Sequence, residues 1–385
     1  MGALFCGVGA VNTGMAGASA AATLIASHSG AGWSGVPGAA AVTGAAIGTV
    51  SAGVLVSRRG SRTALLVLYL LGLVGALVAF LAAASAGLVV LVAGMVLLGV
   101  GNGAAQMSRY VGAELFPLRR RGFALAVIVW AGTVGAVAGP GLMAPGAHVA
   151  ASLGLPELAG PVLVCVTMFG LALLATAALP KVPAPPPRPP MPLSAVIVAL
   201  RRPVVVTPLV AMVGAQLSMV AVMTMTPLQL DRHGHGLDAV GWVLSAHMIG
   251  MFALAPLSGR IADRWGGRAT IYLGIGTLAL AAVTVLAAPT AHTTGLPLGL
   301  FLLGYGWNLV FVGGSSMLSR DLPDAERTRL QGAVDAVVWA SSAVASLLAG
   351  GLFGVGGYAL VAVVGGVLAV APLAVVTRQP AAVGR

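Results

Sequence analysis

Acidic residues are the scarcest chemistry in this chain. Asp and Glu together number nine in 385 residues, and charged residues of all kinds make up 8%. A soluble globular domain carries about a quarter charged residues, so that class is excluded. Cysteine is almost as rare. Cys6 and Cys165 lie in apolar runs far apart in the chain, with no metal-type spacing and no disulfide framework, and buried thiols are expected. No nucleotide-binding loop and no paired nucleophile and base can be found, so neither an ATP-driven pump nor a membrane hydrolase has a candidate site. An enzyme is not expected, nor is a cofactor. With so few acids in the apolar runs, no proton relay can be named. No basic segment precedes the first apolar run, which starts at Ala3, so a cleaved signal peptide is not expected either.

What is present is apolar length. Hydrophobic residues are 58% of the chain and glycine supplies 55 residues, a combination that suits close helix packing in lipid and not a soluble bundle. Runs of ~20 apolar residues, enough to span a bilayer, recur twelve times. They fall near residues 3–27, 33–56, 63–84, 88–115, 123–144, 158–179, 204–230, 237–262, 269–288, 296–319, 328–353 and 358–377. The reading is an all-α polytopic membrane protein whose partners are the lipid bilayer and a small solute. The net charge of +11 is no nucleic-acid footprint, because Arg and Lys concentrate in alternate loops such as 57–62 and 119–121. Positive loops stay in the cytoplasm, which places both termini there and assigns the protein to the cytoplasmic membrane. His28, His148, His233, His235 and His292 then fall in outer loops.

Residues 181–203 break the pattern with a run of prolines and several basic residues. Such a segment reads as a non-helical, extended linker. It separates an N-terminal six-helix bundle (1–180) from a C-terminal one (204–385). The halves repeat internally. Gly53, Ser57, Arg58, Gly60 and Arg62 recur in register as Gly259, Asp263, Arg264, Gly266 and Arg268, each set after the second span of its half. Leu98 to Gly101 matches Leu303 to Gly306, and Val129-Trp130-Ala131 matches Val338-Trp339-Ala340. Repeated halves around a midplane site are a transporter architecture.

On these residues the chain resembles the major facilitator superfamily over essentially its full length. The loop from Gly259 to Arg268 follows that superfamily's signature, and the resemblance implies a gating role for Gly259, Asp263, Arg264, Gly266 and Arg268, with Arg58 and Arg62 as the N-terminal copy. Ser57 replaces the acid of the signature there, so a charge-assisted contact is lost. Arg109 and Glu114 resemble the superfamily's usual exit from the fourth span and are expected in the same network. Gly135, Gly139 and Pro140 resemble part of the motif of proton-coupled drug antiporters; they equally mark a bend and close packing. The resemblance also makes Trp130, Tyr305, Trp307, Asn308 and Trp339 candidates for lining the cavity, where a flat ring could stack.

One stretch points to a substrate. Met219 and Met223 lie four apart on the seventh span, and His247 and Met251 four apart on the eighth, which puts each pair on one helix face. At 1.5 Å per residue the two pairs match in depth, ~10 to 20 Å below the outer ends. Thioethers with an imidazole suit a soft monovalent ion such as Cu(I), while Mg(II) and Ca(II) prefer oxygen. Methionine is also a common apolar filler, but a histidine in the hydrocarbon region needs a partner. The paired spacings on these two spans resemble the signature of CcoA-like transporters, a branch that holds copper importers and riboflavin transporters. The resemblance implies that Met219, Met223, His247 and Met251 carry copper as cargo, and His233 and His235 are candidates for outer capture. The expectation is copper uptake by alternating access. Its alternatives are an organic solute, either a riboflavin-like vitamin or an exported drug, and a non-transporting metal-binding assembly factor or receptor.

Overall fold

The computed structural model describes residues 2–85, 87–114, 121–180, 193–322 and 324–377. Among them every regular element is helical: α1 (Gly2–Ser27), a 3₁₀ turn (Ala31–Gly35), α2 (Val36–Arg59), α3 (Ser61–Ser85), α4 (Leu88–Glu114), α5 (Arg121–Gly141), α6 (Met143–Ser152), α7 (Ala159–Ala177), α8 (Leu193–Leu200), α9 (Pro203–Arg232), α10 (Leu237–Phe252), α11 (Ala255–Ala287), α12 (Gly295–Asp321), α13 (Asp324–Val370) and α14 (Leu373–Val376). Lipid offers the backbone no hydrogen bonds, so a spanning segment must satisfy its own. Among the described residues nine stretches are long and apolar enough to cross a membrane. Two of them hold two spans each, divided at Gly266 and at Gly356–Gly357 where the backbone leaves helical geometry. The bent pair Ala126–Gly141 and Met143–Ser152 supplies the twelfth.

The structure corrects three boundaries. The linker expected to be non-helical contains α8, where no proline interrupts Leu193–Leu200. The fifth span does not stop at residue 144. It bends by 51° at Leu142 and continues as α6, so His148, expected in a loop, sits exposed on a helix. The eighth span is broken between Phe252 and Ala255. Both interruptions have the same cause. Pro145 and Pro256 lack an amide hydrogen, and their rings clash with the carbonyl four residues earlier. Each proline is tolerated only in the first turn of a new helix.

The chain forms two compact units. The first comprises Met1–Arg188, Thr224–Ser245 and Ser346–Val355; the second comprises Pro189–Met223, Ala246–Ala345 and Gly356–Arg385. Small residues set the packing in both. In the first unit, side chains added at Gly135 and Gly139 of α5 would collide with the Gly9 and Thr13 carbonyls of α1, and ones at Gly44 and Gly48 of α2 with the Val96 and Val100 carbonyls of α4. These are the glycines of the antiporter-like motif, and here they are close-packing positions. Ser346 Oγ donates to the Gly35 carbonyl at 2.8 Å, Ser245 Oγ to that of Val137 at 3.1 Å, and the Arg232 guanidinium lies 4.8 Å from the Phe353 ring centroid. Cys165 is buried against Gly14, and Cys6 is half-buried. In the second unit, α11 and α12 meet backbone to backbone through Gly267 and Gly313 and through Gly274 and Gly306.

The internal repeat is visible as backbone geometry. Gly60 has φ 79° and ψ 161°, and Gly266 has φ 83° and ψ 159°. That region is essentially reserved for glycine, and another residue there costs ~1–3 kcal/mol. Nothing stands within 4 Å of a methyl added at Gly266 or at Gly276, and only Gly266 has a positive φ. Gly266→Ala is therefore expected to lower the melting temperature of the detergent-solubilised protein, while Gly276→Ala leaves it unchanged or raises it. Identical melting curves for the two variants would refute the backbone explanation.

Candidate functional site

The eighth span carries its two candidate ligands on the last turns of α10, just before the break. His247 is fully buried (0% exposed) and Met251 nearly so at 6%. Their face packs on α12. A side chain at Gly304 would meet the His247 carbonyl and would come within 3.1 Å of Met251 Cγ. The His247 ring is held by Nδ1, 2.9 Å from the Leu300 carbonyl oxygen. A carbonyl can only accept, so Nδ1 bears the proton and a neutral ring presents its lone pair on Nε2. That Nε2 is buried and finds no hydrogen-bond partner among the described residues. The arrangement resembles the usual support of a metal-binding histidine, whose second nitrogen donates to a carbonyl and fixes the tautomer.

The break itself is closed by side chains from α12 and α11. Asn308 Nδ2 donates to the Met251 carbonyl at 2.8 Å, and Ser258 Oγ donates to Asn308 Oδ1 at 2.6 Å. Both side chains are buried.

On the seventh span Met219 is buried and Met223 half-buried. They continue the face of α9 that carries Met212 and Gln216, three, four and seven residues being helical neighbours. Met212 lies against Gly314 of α12. Gln216 is wholly buried and fully engaged: its Oε1 accepts from Trp307 Nε1 at 2.6 Å, and its Nε2 donates to Ser342 Oγ at 2.7 Å. Trp307 in turn stacks on Phe311 with ring centroids 4.9 Å apart. The sequence reading matched the two ligand pairs in depth; the bonds that the structure forms around them run from His247 and Gln216 to α12 and from Gln216 to α13. Sequence reasoning passed over Gln216, Ser258 and Ser342. An amide in the middle of an apolar span was the available signal for Gln216, since it must find partners there.

The other candidates divide. Trp130 and Trp339 are 66% and 47% exposed, and Tyr305 is half-buried against Phe301. Trp307 and Asn308, the other two candidates for lining a cavity, are buried and make the bonds above. His233 is exposed with Nδ1 2.8 Å from the Gln229 carbonyl, and His235 is half-buried. In the signature loop Gly259 is half-buried, Asp263 and Arg264 are exposed, and Arg58 is exposed in the copy. The last arginines of the two copies do the same thing in their own units. Arg62 Nη2 donates to the Ala177 carbonyl and Arg268 Nη2 to the Val376 carbonyl, each at 2.6 Å. Helix C-termini leave carbonyls unsatisfied, and a cation there also answers the helix dipole. The side chains of Arg109 and Glu114 lie outside the described residues. Among the described residues no three His, Cys, Asp or Glu side chains gather as a metal site. A metal held here would rely on thioethers.

Comparison with known proteins agrees with this architecture. The family model for the Major Facilitator Superfamily matches residues 1–238 and 231–384. The MFS-type transporter YdeG of Bacillus subtilis is 30% identical over 355 residues, covering 89% of this chain and 83% of its own. The riboflavin transporter RfnT of Brucella anthropi is 29% identical over 323 residues, covering 80% and 77%. Among solved structures, the peptide transporter POT in complex with sulfate superposes with a TM-score of 0.71 at 15% identity, over 98% of this chain and 94% of that one. The partially occluded inward-open xylose transporter XylE of E. coli gives 0.66 at 16% identity, over 100% and 98%. With twelve spans, the repeated turn and these matches along its length, the chain belongs to the major facilitator superfamily and is a secondary transporter.

Proposed function

We propose that this transporter carries Cu(I) across the cytoplasmic membrane, inward, by alternating access, with His247 as the central ligand. The observation that supports the reading is the His247 ring: one nitrogen tied to the Leu300 carbonyl, the other buried and unpartnered, and a thioether one turn away at Met251. Leaving a buried polar atom unpaired costs ~1–3 kcal/mol, a cost that coordination of a soft cation would remove. Met219 and Met223 supply further neutral sulfur ligands. His233 and His235 gather the ion at the loop between the two spans, and the signature loop gates its release.

A second reading has its own support. A relative named as a riboflavin transporter shares most of this chain's length, and Trp130 and Trp339 expose indole faces on which a flat ring could stack. Under this reading the cargo is a heteroaromatic vitamin.

Uptake into cells lacking their own copper importer separates the two. Cells expressing the protein should accumulate copper, and His247→Ala should lose most of that gain, since removing a ligand from a built metal site costs tenfold or more in affinity, on the order of that seen for supporting residues. Riboflavin uptake should be unaffected by His247→Ala. Copper uptake equal to wild type in a well-expressed His247→Ala, Met251→Ala protein would overturn the copper reading. Riboflavin accumulation that falls in Trp130→Ala or Trp339→Ala would establish the second.

A further inference from the structure

We infer that Asn308 is the positioning residue of the His247–Met251 pair: it holds the carboxyl end of α10 in place at the break in the eighth span. The inference rests on the reading of His247 as the substrate ligand and adds what keeps it there.

Pro256 forces the break, and the last turn of α10 is left with carbonyls that no amide within its own helix can reach. The Met251 carbonyl belongs to that turn. Asn308 donates to it from α12, and the other end of the same amide accepts from Ser258 on the far side of the break. One side chain therefore ties together the end of α10, the start of α11 and the middle of α12. His247 lies one turn above Met251, and its ring bonds to α12 at Leu300. The half-helix is thus pinned to α12 twice, once through the His247 ring and once through Asn308. If the lower pin is lost, the end of α10 is free to turn or fray, and the Met251 thioether loses its fixed place beside the imidazole. Asn308 touches the backbone and not the proposed ligand atoms, so it acts through Met251.

The test uses the full chain in lipid nanodiscs. Asn308→Ala removes the side chain; Asn308→Leu keeps much of its volume but can neither donate to the Met251 carbonyl nor accept from Ser258. Both should speed amide hydrogen exchange in the 247–258 segment and leave exchange in α1 to α4 unchanged. Both should also weaken Cu(I) binding, titrated against a chromogenic chelator, by about tenfold or more, the usual penalty for losing a supporting residue. A merely volumetric role would spare Asn308→Leu. If Asn308→Ala fails to fold, Ser258→Ala, which removes only the anchor of the amide, should show the same changes in smaller measure. Exchange in 247–258 equal to wild type in these variants overturns the inference, as does faster exchange with undiminished Cu(I) affinity. A wild-type protein that takes no Cu(I), while its Asn308 variants still exchange faster over 247–258, removes the copper reading and supports the pin.

Discussion

The hydrogen bond from Asn308 to the Met251 carbonyl answers a deficit that lipid does not forgive. An unsatisfied backbone group in the hydrocarbon region costs several kcal/mol, and Pro256 creates such groups in the middle of a span. Making the deficit good draws in α12, and α12 then becomes the support for both candidate ligand pairs. Asn308 serves the eighth span. Its chain neighbour Trp307 serves the seventh through Gln216. Consecutive helical residues point ~100° apart, so two adjacent positions can reach two different helices, and a single turn of α12 fixes the faces bearing His247 with Met251 and Met219 with Met223.

These bonds are possible because the helices approach closely. Gly304 admits His247 and Met251 against α12, and Gly250 admits the backbone at Phe301 and Tyr305. Between apolar helices in lipid there is little hydrophobic drive to associate, so packing and a few polar bonds do the work. The ends of the bundles follow the same logic. Arg62 and Arg268 each reach across to the last carbonyls of the final span in their own half of the sequence, Ala177 and Val376. The repeat seen in sequence as Gly60 and Gly266 is the sharp turn that aims those arginines.

Much of this was legible before any coordinates. Apolar length located the spans, and the glycines of the repeated turn fall at the divisions that the backbone makes at Gly60 and Gly266. The break at Phe252 to Ala255 was missed, and the bend that Pro140 marked in the fifth span was not carried on into α6. Apolar length counts side chains and is blind to amide hydrogens, whereas Pro145 and Pro256 act by lacking one. The candidate ligands were legible as pairs on a face, because spacing of four fixes that much. Which neighbour the face meets depends on helix rotation, and rotation here is set by Gly304, Leu300 and Gln216. The linker was misread in part for the opposite reason: eight prolines dominated its composition and concealed Leu193–Leu200, which contains none.

The chemistry of the site bears on the choice of cargo through charge. Imidazole and thioether are neutral, so an empty site of this kind does not bury a charge, while a carboxylate site would. Binding Cu(I) then adds a single positive charge to a low-dielectric interior, and something must favour it. The broken span supplies a partial negative charge: α10 ends at Phe252, and the carboxyl end of a helix carries roughly half a unit of negative charge within its last turn. Half-helix ends of this polarity serve cations in other broken-span transporters. An organic solute could use the same end as a hydrogen-bond acceptor, but it would have no need of a buried His247 Nε2 that finds no partner among the described residues. Under the copper reading proposed above, the combination of a negative helix end with soft neutral ligands favours a soft cation at this position in the span.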